Sequence, residues 1–273
     1  MTINCKGRLI DVNTPKVMGI LNVTPDSFFD GGRYNNDMAV LRQAESMLSD
    51  GADFIDIGGY SSRPGASEVA ETDEIRRVVP AVTAIVKEFP NAVVSVDTFR
   101  SSVARAAIES GAAIVNDISA GNLDADMMET VAALQVPYIM MHMRGNPSTM
   151  QTLTDYDDIV KEMLLYFAEK TTAARSFGIN DVLIDPGFGF AKTLEQNYEV
   201  LRRLEDFSIL ELPLLVGVSR KSMVYKPLGT SAAEALNGST VLHTIALSKG
   251  AKILRVHDVK EAVEAVKLFQ LSQ

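Results

Sequence analysis

The stretch VVSVDTFRSSVARAAIESGAAIVNDI, residues 93–118, sets two apolar runs, Val93–Thr98 and Ile114–Ile118, on either side of a helical pattern over Ser101–Glu109. Both runs are continuously apolar until a polar residue ends them, which is how a strand covered on both faces reads. Strand, helix, glycine (Gly111) and strand in that order form the unit from which parallel sheets are built. The same unit recurs along the chain. Further strands are expected at Val17–Val23, Phe54–Gly59, Tyr138–Met143, Val182–Pro186, Leu214–Ser219 and Ile253–His257. Between and after them run helical patterns at Ala39–Asp50, Glu68–Phe89, Asp126–Leu134, Asp157–Phe177, Thr193–Leu204, Ala232–Lys249 and Val259–Leu271. Asp124 and Ser231 are placed to cap two of these helices. Gly51, Gly111, Gly178 and Gly250 each close one in a left-handed turn.

Eight such units leave no residues for a second domain. The expectation is therefore an α/β fold, a (β/α)8 TIM barrel occupying residues 1–273 as one unit, rather than a doubly wound sheet. Asn4–Leu9, with Gly7, is expected to form a short N-terminal β-hairpin that plugs one end of the barrel.

Composition narrows the function classes. The 273 residues are 47% hydrophobic and 22% charged, enough for a sizeable core. A formal charge of -9 gives nucleic acid or an anionic membrane no attractive field, so neither is expected as a partner. Cys5 is the sole cysteine, which rules out an intramolecular disulfide framework and fits a reducing compartment. The apolar runs are far shorter than the roughly 20 residues of a spanning helix, and Met1–Ile10 lacks an apolar signal core. The expected location is cytoplasmic.

Nearly every expected strand delivers a polar side chain at its C-terminal end, the face on which barrel enzymes assemble their sites. In order these are Asn22, Asp56, Asp97, Asn116 with Asp117, His142, Asp185, Ser219 with Arg220 and Lys221, and Arg255 with His257. A single acid after a strand is more often a cap or turn residue than a catalyst. Here Asp56, Asp97, Asn116 and Asp185 sit inside apolar runs, where a buried carboxylate needs a ligand, metal or cation beside it. Three acids and an amide around one pocket would suit a flat, nitrogen-rich heterocycle; Asp97 and Asp185 could instead hold a hard cation. Ser61, Ser62, Arg63, Lys221, Arg255 and His257 would form an oxyanion-binding group on the other side of the mouth. The loops NVTPDSFFDGG (22–32) and GGYSSRPGA (58–66) have good turn chemistry and carry aromatic residues that suit mobile lids. No Walker or dinucleotide glycine pattern is present, and His142 and His243 lack a second histidine at metal-ligand spacing.

These residues resemble the dihydropteroate synthase family over essentially the whole chain. GILNVTPDSFFDGG (19–32) and GADFIDIGGYSSRPGA (51–66) match its two signature segments. SVDTFR (95–100), VNDISAG (115–121), MHMRGNPSTMQ (141–151), DPGFGFAK (185–192), GVSRKS (217–222) and RVHDV (255–259) follow in order. The resemblance implies the barrel, Mg2+, a homodimer, and condensation of a dihydropterin diphosphate with p-aminobenzoate. It implies that Asp97, Asn116 and Asp185 bind the pterin edge, that Lys221 reaches its other edge, and that Arg255 stacks on its face. Met140 and Phe190 would line the same pocket. Asn22 would help hold Mg2+, Ser62, Arg255 and His257 the diphosphate, and Phe28, Pro64 and Ser222 would flank p-aminobenzoate. Asp97, Asp185, Lys221 and Arg255 are the expected catalytic set. Phe29, Tyr60 and Ser62 depart from the commoner Ser, acid and Thr. Two alternatives stand beside this reading: a corrinoid-linked pterin methyltransferase and an inactive pterin-binding paralogue.

Overall fold

The computed structural model describes residues 1–24, 33–60 and 69–273. An antiparallel hairpin of β1 (Thr2–Cys5) and β2 (Arg8–Asp11) comes first. Eight parallel strands follow: β3 (Lys16–Asn22), β4 (Phe54–Gly58), β5 (Val94–Asp97), β6 (Ile114–Asp117), β7 (Tyr138–Met141), β8 (Val182–Asp185), β9 (Leu215–Val216) and β10 (Ile253–Val256). They lie in the order β8-β7-β6-β5-β4-β3-β10-β9, and an Ile184–Leu214 bridge brings β8 against the start of β9. The helices are α1 (Arg33–Ser49), α2 (Glu71–Glu88), α3 (Ser101–Glu109), α4 (Met127–Leu134), α5 (Ile159–Ser176), α6 (Leu194–Arg202), α7 (Ser222–Tyr225), α8 (Leu236–Ser248) and α9 (Val259–Leu271). Strand and helix alternate around the ring, as the repeated unit in the sequence requires.

Period-two alternation divides each strand's side chains between two cores. Val17, Leu21, Ile55, Ile57, Val94, Val96, Val115, Met140 and Ile184 face outward and pack against the helices. Met18, Phe54, Ile114, Ile139, Leu183, Leu215 and Ile253 form an inner layer, and Ile3, Cys5 and Val12 from the hairpin region pack onto it. Lys6 and Gly7 carry φ of 53° and 88°, the two positive values that a two-residue hairpin turn of this hand needs. Asn4 N donates to Asp181, Lys6 to Ile108 O and Arg8 to Asn91 O. All three acceptors precede strands, so the hairpin closes the N-terminal end of the barrel as expected. Burial there pushes the Cys5 thiol up to about 12, which leaves it no nucleophilic role.

Gly51, Gly111, Gly178 and Gly250 do end helices at positive φ. The two expected caps are different. Asp124 accepts from Ser101 N at the start of α3 and from Asp126 N, and Ser231 donates to Glu234. Their side chains are drawn to nearer donors and acceptors, and the cap positions fall to Asp126 and Ala235 without side-chain bonds. α8 starts four residues later than the pattern suggests, after the short α7 that the sequence did not announce.

Candidate active site

Above the apolar plug, the inward positions near the C-terminal ends of most strands carry polar side chains. Asp56 lies on β4, Asp97 on β5, Asn116 on β6, Asp185 on β8 and Arg255 on β10. Register places Asp97 opposite Asn116 and Met141 opposite Asp185. Arg255 crosses the barrel: its Nε donates to Asp56 Oδ2 and its Nη2 to Asp97 Oδ2, each at 2.6 Å. Asn116 Nδ2 donates to the same Asp56 oxygen at 3.0 Å. Thus inward residues of five strands, from Asp56 to Arg255, meet in one polar layer.

The β8 side is built by the loop after it. Asp185 Oδ1 accepts from Gly187 N at 2.7 Å, and Lys221 Nζ donates to Phe188 O at 2.7 Å while lying 5.0 Å from the Phe190 ring centre. Gly187 has φ 67°, and a Cβ there would stand 2.2 Å from His142 O, so this close approach needs glycine. Beneath the loop, Lys192 Nζ donates to the carbonyls of Gly187 and Phe190 and lies 3.1 Å from His142 Nδ1. Burial pushes Lys192 down to about 7 and holds His142 neutral, well below its usual range. His142 is therefore part of the support under the loop.

Burial pushes Asp97 up to about 7; Arg255 pulls it down, while Asp56, Glu74 and Asp117 add to the rise. Asp185 is also raised by burial, against Lys221, the Gly187 N–H and Arg255. The Lys221 ammonium is pushed down to about 8 by burial, with Asp185 opposing. When ionised, Asp97 and Asp185 are carboxylates in a dry pocket, placed to stabilise a ring that gains positive charge.

Asp97 is braced from behind. Glu74 of α2 is fully buried, accepts from Thr98 Oγ1 and Arg100 Nη1 at 2.7 Å each, and is raised mainly by burial. The Arg100 guanidinium lies 5.4 Å from the Tyr60 ring and 5.2 Å from the Phe99 ring. An aromatic residue at position 60 thus faces a cation already neutralised by Glu74.

The structure brings together Asp97, Asn116, Asp185, Lys221, Phe190 and Arg255. Asn22 ends β3 beside them: a Cβ added at Gly58 would meet Asn22 Oδ1 at 3.5 Å and Asp97 Oδ2 at 3.7 Å. Ser222 begins α7 next to Lys221. Phe28, Ser62, Arg63 and Pro64 lie outside the described residues.

One expectation is corrected. Met140 does not line the pocket; it points outward into the core under the helices, and Met141 takes the inward position, packed near Phe190. The strand allows only one of two neighbours to face inward, and Ile139 in the apolar plug fixes which. Of the expected oxyanion group, Ser61, Ser62 and Arg63 lie outside the described residues. Arg255 and Lys221 are committed to the acids and the loop after β8, whereas His257 is exposed and held by Ser219 Oγ at 3.1 Å. Arg220 forms a two-pronged pair with Asp258 and Asp117 turns outward to Ser119, Gly121 and Tyr138, so both are structural. Asp56 is expected among the three acids of the pocket, but the family resemblance gives it no role of its own. Its position two residues after the inward Phe54 was the available signal.

Comparison with known proteins agrees with this geometry. The family model described as "Pterin binding enzyme" matches residues 18–257. A dihydropteroate synthase from Escherichia coli is 45% identical over 272 residues, 99% of this chain and 96% of that protein. The solved Xanthomonas albilineans dihydropteroate synthase with 4-aminobenzoic acid is 39% identical, with TM-score 0.93 over 100% of this chain and 98% of that one. The same organism's enzyme in complex with 7,8-dihydropteroate is 36% identical, with TM-score 0.90 over 100% and 99%. With a matching family model over most of its length and relatives this similar end to end, the chain belongs to the dihydropteroate synthase family of pterin-binding enzymes.

Proposed function

We propose that this chain condenses 6-hydroxymethyl-7,8-dihydropterin diphosphate with p-aminobenzoate, giving 7,8-dihydropteroate and diphosphate. The observation that carries the reading is the polar layer of Asp97, Asn116, Asp185, Lys221 and Arg255 in a chain whose relatives are named for this reaction. One solved relative holds 4-aminobenzoic acid and another 7,8-dihydropteroate. These relatives favour the synthase over a corrinoid-linked methyltransferase.

The chemistry follows from the charge at the site. Asn116 and the two acids Asp97 and Asp185 accept from the ring's N–H edge, and Lys221 donates to the opposite edge. The carbon–oxygen bond at the pterin methylene breaks with its electron pair leaving on diphosphate. Positive charge spreads into the ring, where Asp97 and Asp185 stabilise it. The arylamine nitrogen then bonds to the methylene carbon and loses a proton to solvent. Holding the two reactants in line supplies much of the remaining acceleration. In this account Arg255 lies over the ring, and Ser62, Arg63 and His257 take the departing diphosphate. Phe28, Pro64 and Ser222 surround p-aminobenzoate.

Mg2+ fits this mouth. Magnesium takes few protein oxygens and completes its shell with water and substrate phosphates, and Gly58, lacking a Cβ, leaves room beside Asn22 Oδ1 and Asp97 Oδ2. Asn22 would hold the ion, which when bound neutralises charge on the leaving group. We also place the enzyme in the cytoplasm, on its single buried cysteine, and assign it a homodimer. Exposed Val241 and Ile245 on α8 and Leu268 and Leu271 on α9 support that assignment. The test is p-aminobenzoate consumption with and without Mg2+. Turnover that needs the pterin diphosphate and rises with Mg2+ is expected; no consumption under either condition would overturn the proposal.

A further inference from the structure

Asp56 has no part in the mechanism above, yet it is completely buried in the middle of the polar layer. One of its oxygens, Oδ2, accepts from Arg255 Nε and from Asn116 Nδ2. The other, Oδ1, is buried with no partner among the described residues. A purely structural ion pair would saturate both oxygens, since an unsatisfied buried acceptor is costly. Instead a single oxygen collects two donors, from β6 and β10, that the pterin reading uses directly.

The consequence for Asn116 is specific. An asparagine amide can be turned either way, and only its hydrogen-bond partners decide which end faces a ligand. A carboxylate oxygen already accepting from Arg255 can only accept again, so it must face the amide NH2. Asn116 Oδ1, which accepts from no described residue, is then directed to the pocket. The pocket presents an acceptor there, suited to a ring edge bearing an N–H. The same oxygen fixes the Arg255 guanidinium so that Nη2 reaches Asp97.

We infer that Asp56 is a positioning residue for pterin recognition, setting the orientation of the Asn116 amide and the Arg255 guanidinium and thereby selecting a ring that offers an N–H at that edge. The inference rests on the pterin reading of the site. It has a signature that mere support of the fold would not give, because Asp56 acts through Asn116 and Arg255.

The test is a double-mutant cycle read by calorimetric titration with 6-hydroxymethylpterin. Asp56→Asn, which keeps the volume, and Asp56→Ala are each measured alone and together with Asn116→Ala. Asp56→Ala is expected to weaken binding at least about tenfold and Asp56→Asn by a smaller factor. In the Asn116→Ala background each loss is expected to shrink by at least about threefold, as coupled residues do. If Asp56→Ala does not fold, the Asp56→Asn pair decides. Equal losses in both backgrounds, or wild-type affinity in the single variants, overturn the inference alone. Wild-type protein that binds no pterin overturns the functional reading beneath it.

Discussion

Asp97 and Arg255 share a 2.6 Å charge-assisted contact at the centre of the polar layer, and each is assigned to the reacting pterin. Asp97→Ala and Arg255→Ala are each expected to lower kcat/KM by on the order of 100-fold or more, the scale on which an aligned charge stabilises a transition state. Near-normal turnover in both variants, measured by diphosphate release, would remove them from the mechanism. The pH profile follows from the same groups. Asp97 acts as an anion and burial has pushed it up to about 7, so activity falls as pH drops through that value. Lys221 acts as a cation pushed down to about 8, so activity falls again as pH rises past it. A narrow bell in kcat/KM between these limits is expected, and a flat profile from pH 6 to 9.5 would contradict both assignments. Asp97, Asn116 and Asp185 were legible in the sequence because a carboxylate or amide inside an apolar run demands an explanation. Asp56 met the same criterion, but its part depends on a contact with Arg255, 199 residues away, that no local pattern shows.

At the scale of elements, β7 shows how one register step separates stability from recognition. Met140 is fully buried under the helices and Met141 faces the mouth beside Phe190. Met140→Ala is expected to cost about 2–5 kcal/mol of stability, as core truncations do, with pterin affinity little changed. Met141→Ala is expected to weaken pterin binding more than it lowers the urea midpoint. The opposite pattern in paired denaturation and binding measurements would restore the outward residue to the pocket. The two methionines are adjacent and chemically identical, so composition could not choose between them. Only the inward Ile139 fixes the phase. Strands and glycine-closed helices were legible because burial on both faces and positive φ leave strong marks. The caps were not, since Asp124 is captured by the backbone N–H of Ser101, 23 residues away.

For the whole molecule, the barrel could be read from eight repeats of one unit, while closure is shown by the Ile184–Leu214 bridge that joins the two ends of the strand order. The homodimer assigned above is tested by sedimentation. Wild-type protein is expected at twice the chain mass, and Val241→Glu with Leu268→Glu at the chain mass, because a charge on each of two apolar positions disfavours burial. A monomeric wild type would remove that assignment. The central claim is that strand ends from the whole chain grip one ring. Its most direct measurement is a crystal structure with 6-hydroxymethylpterin bound. The ring is expected between Asp97, Asn116, Asp185 and Lys221, within hydrogen-bonding distance of the acids and beneath Arg255. A pterin seated anywhere else, with that layer left unengaged, would contradict the account.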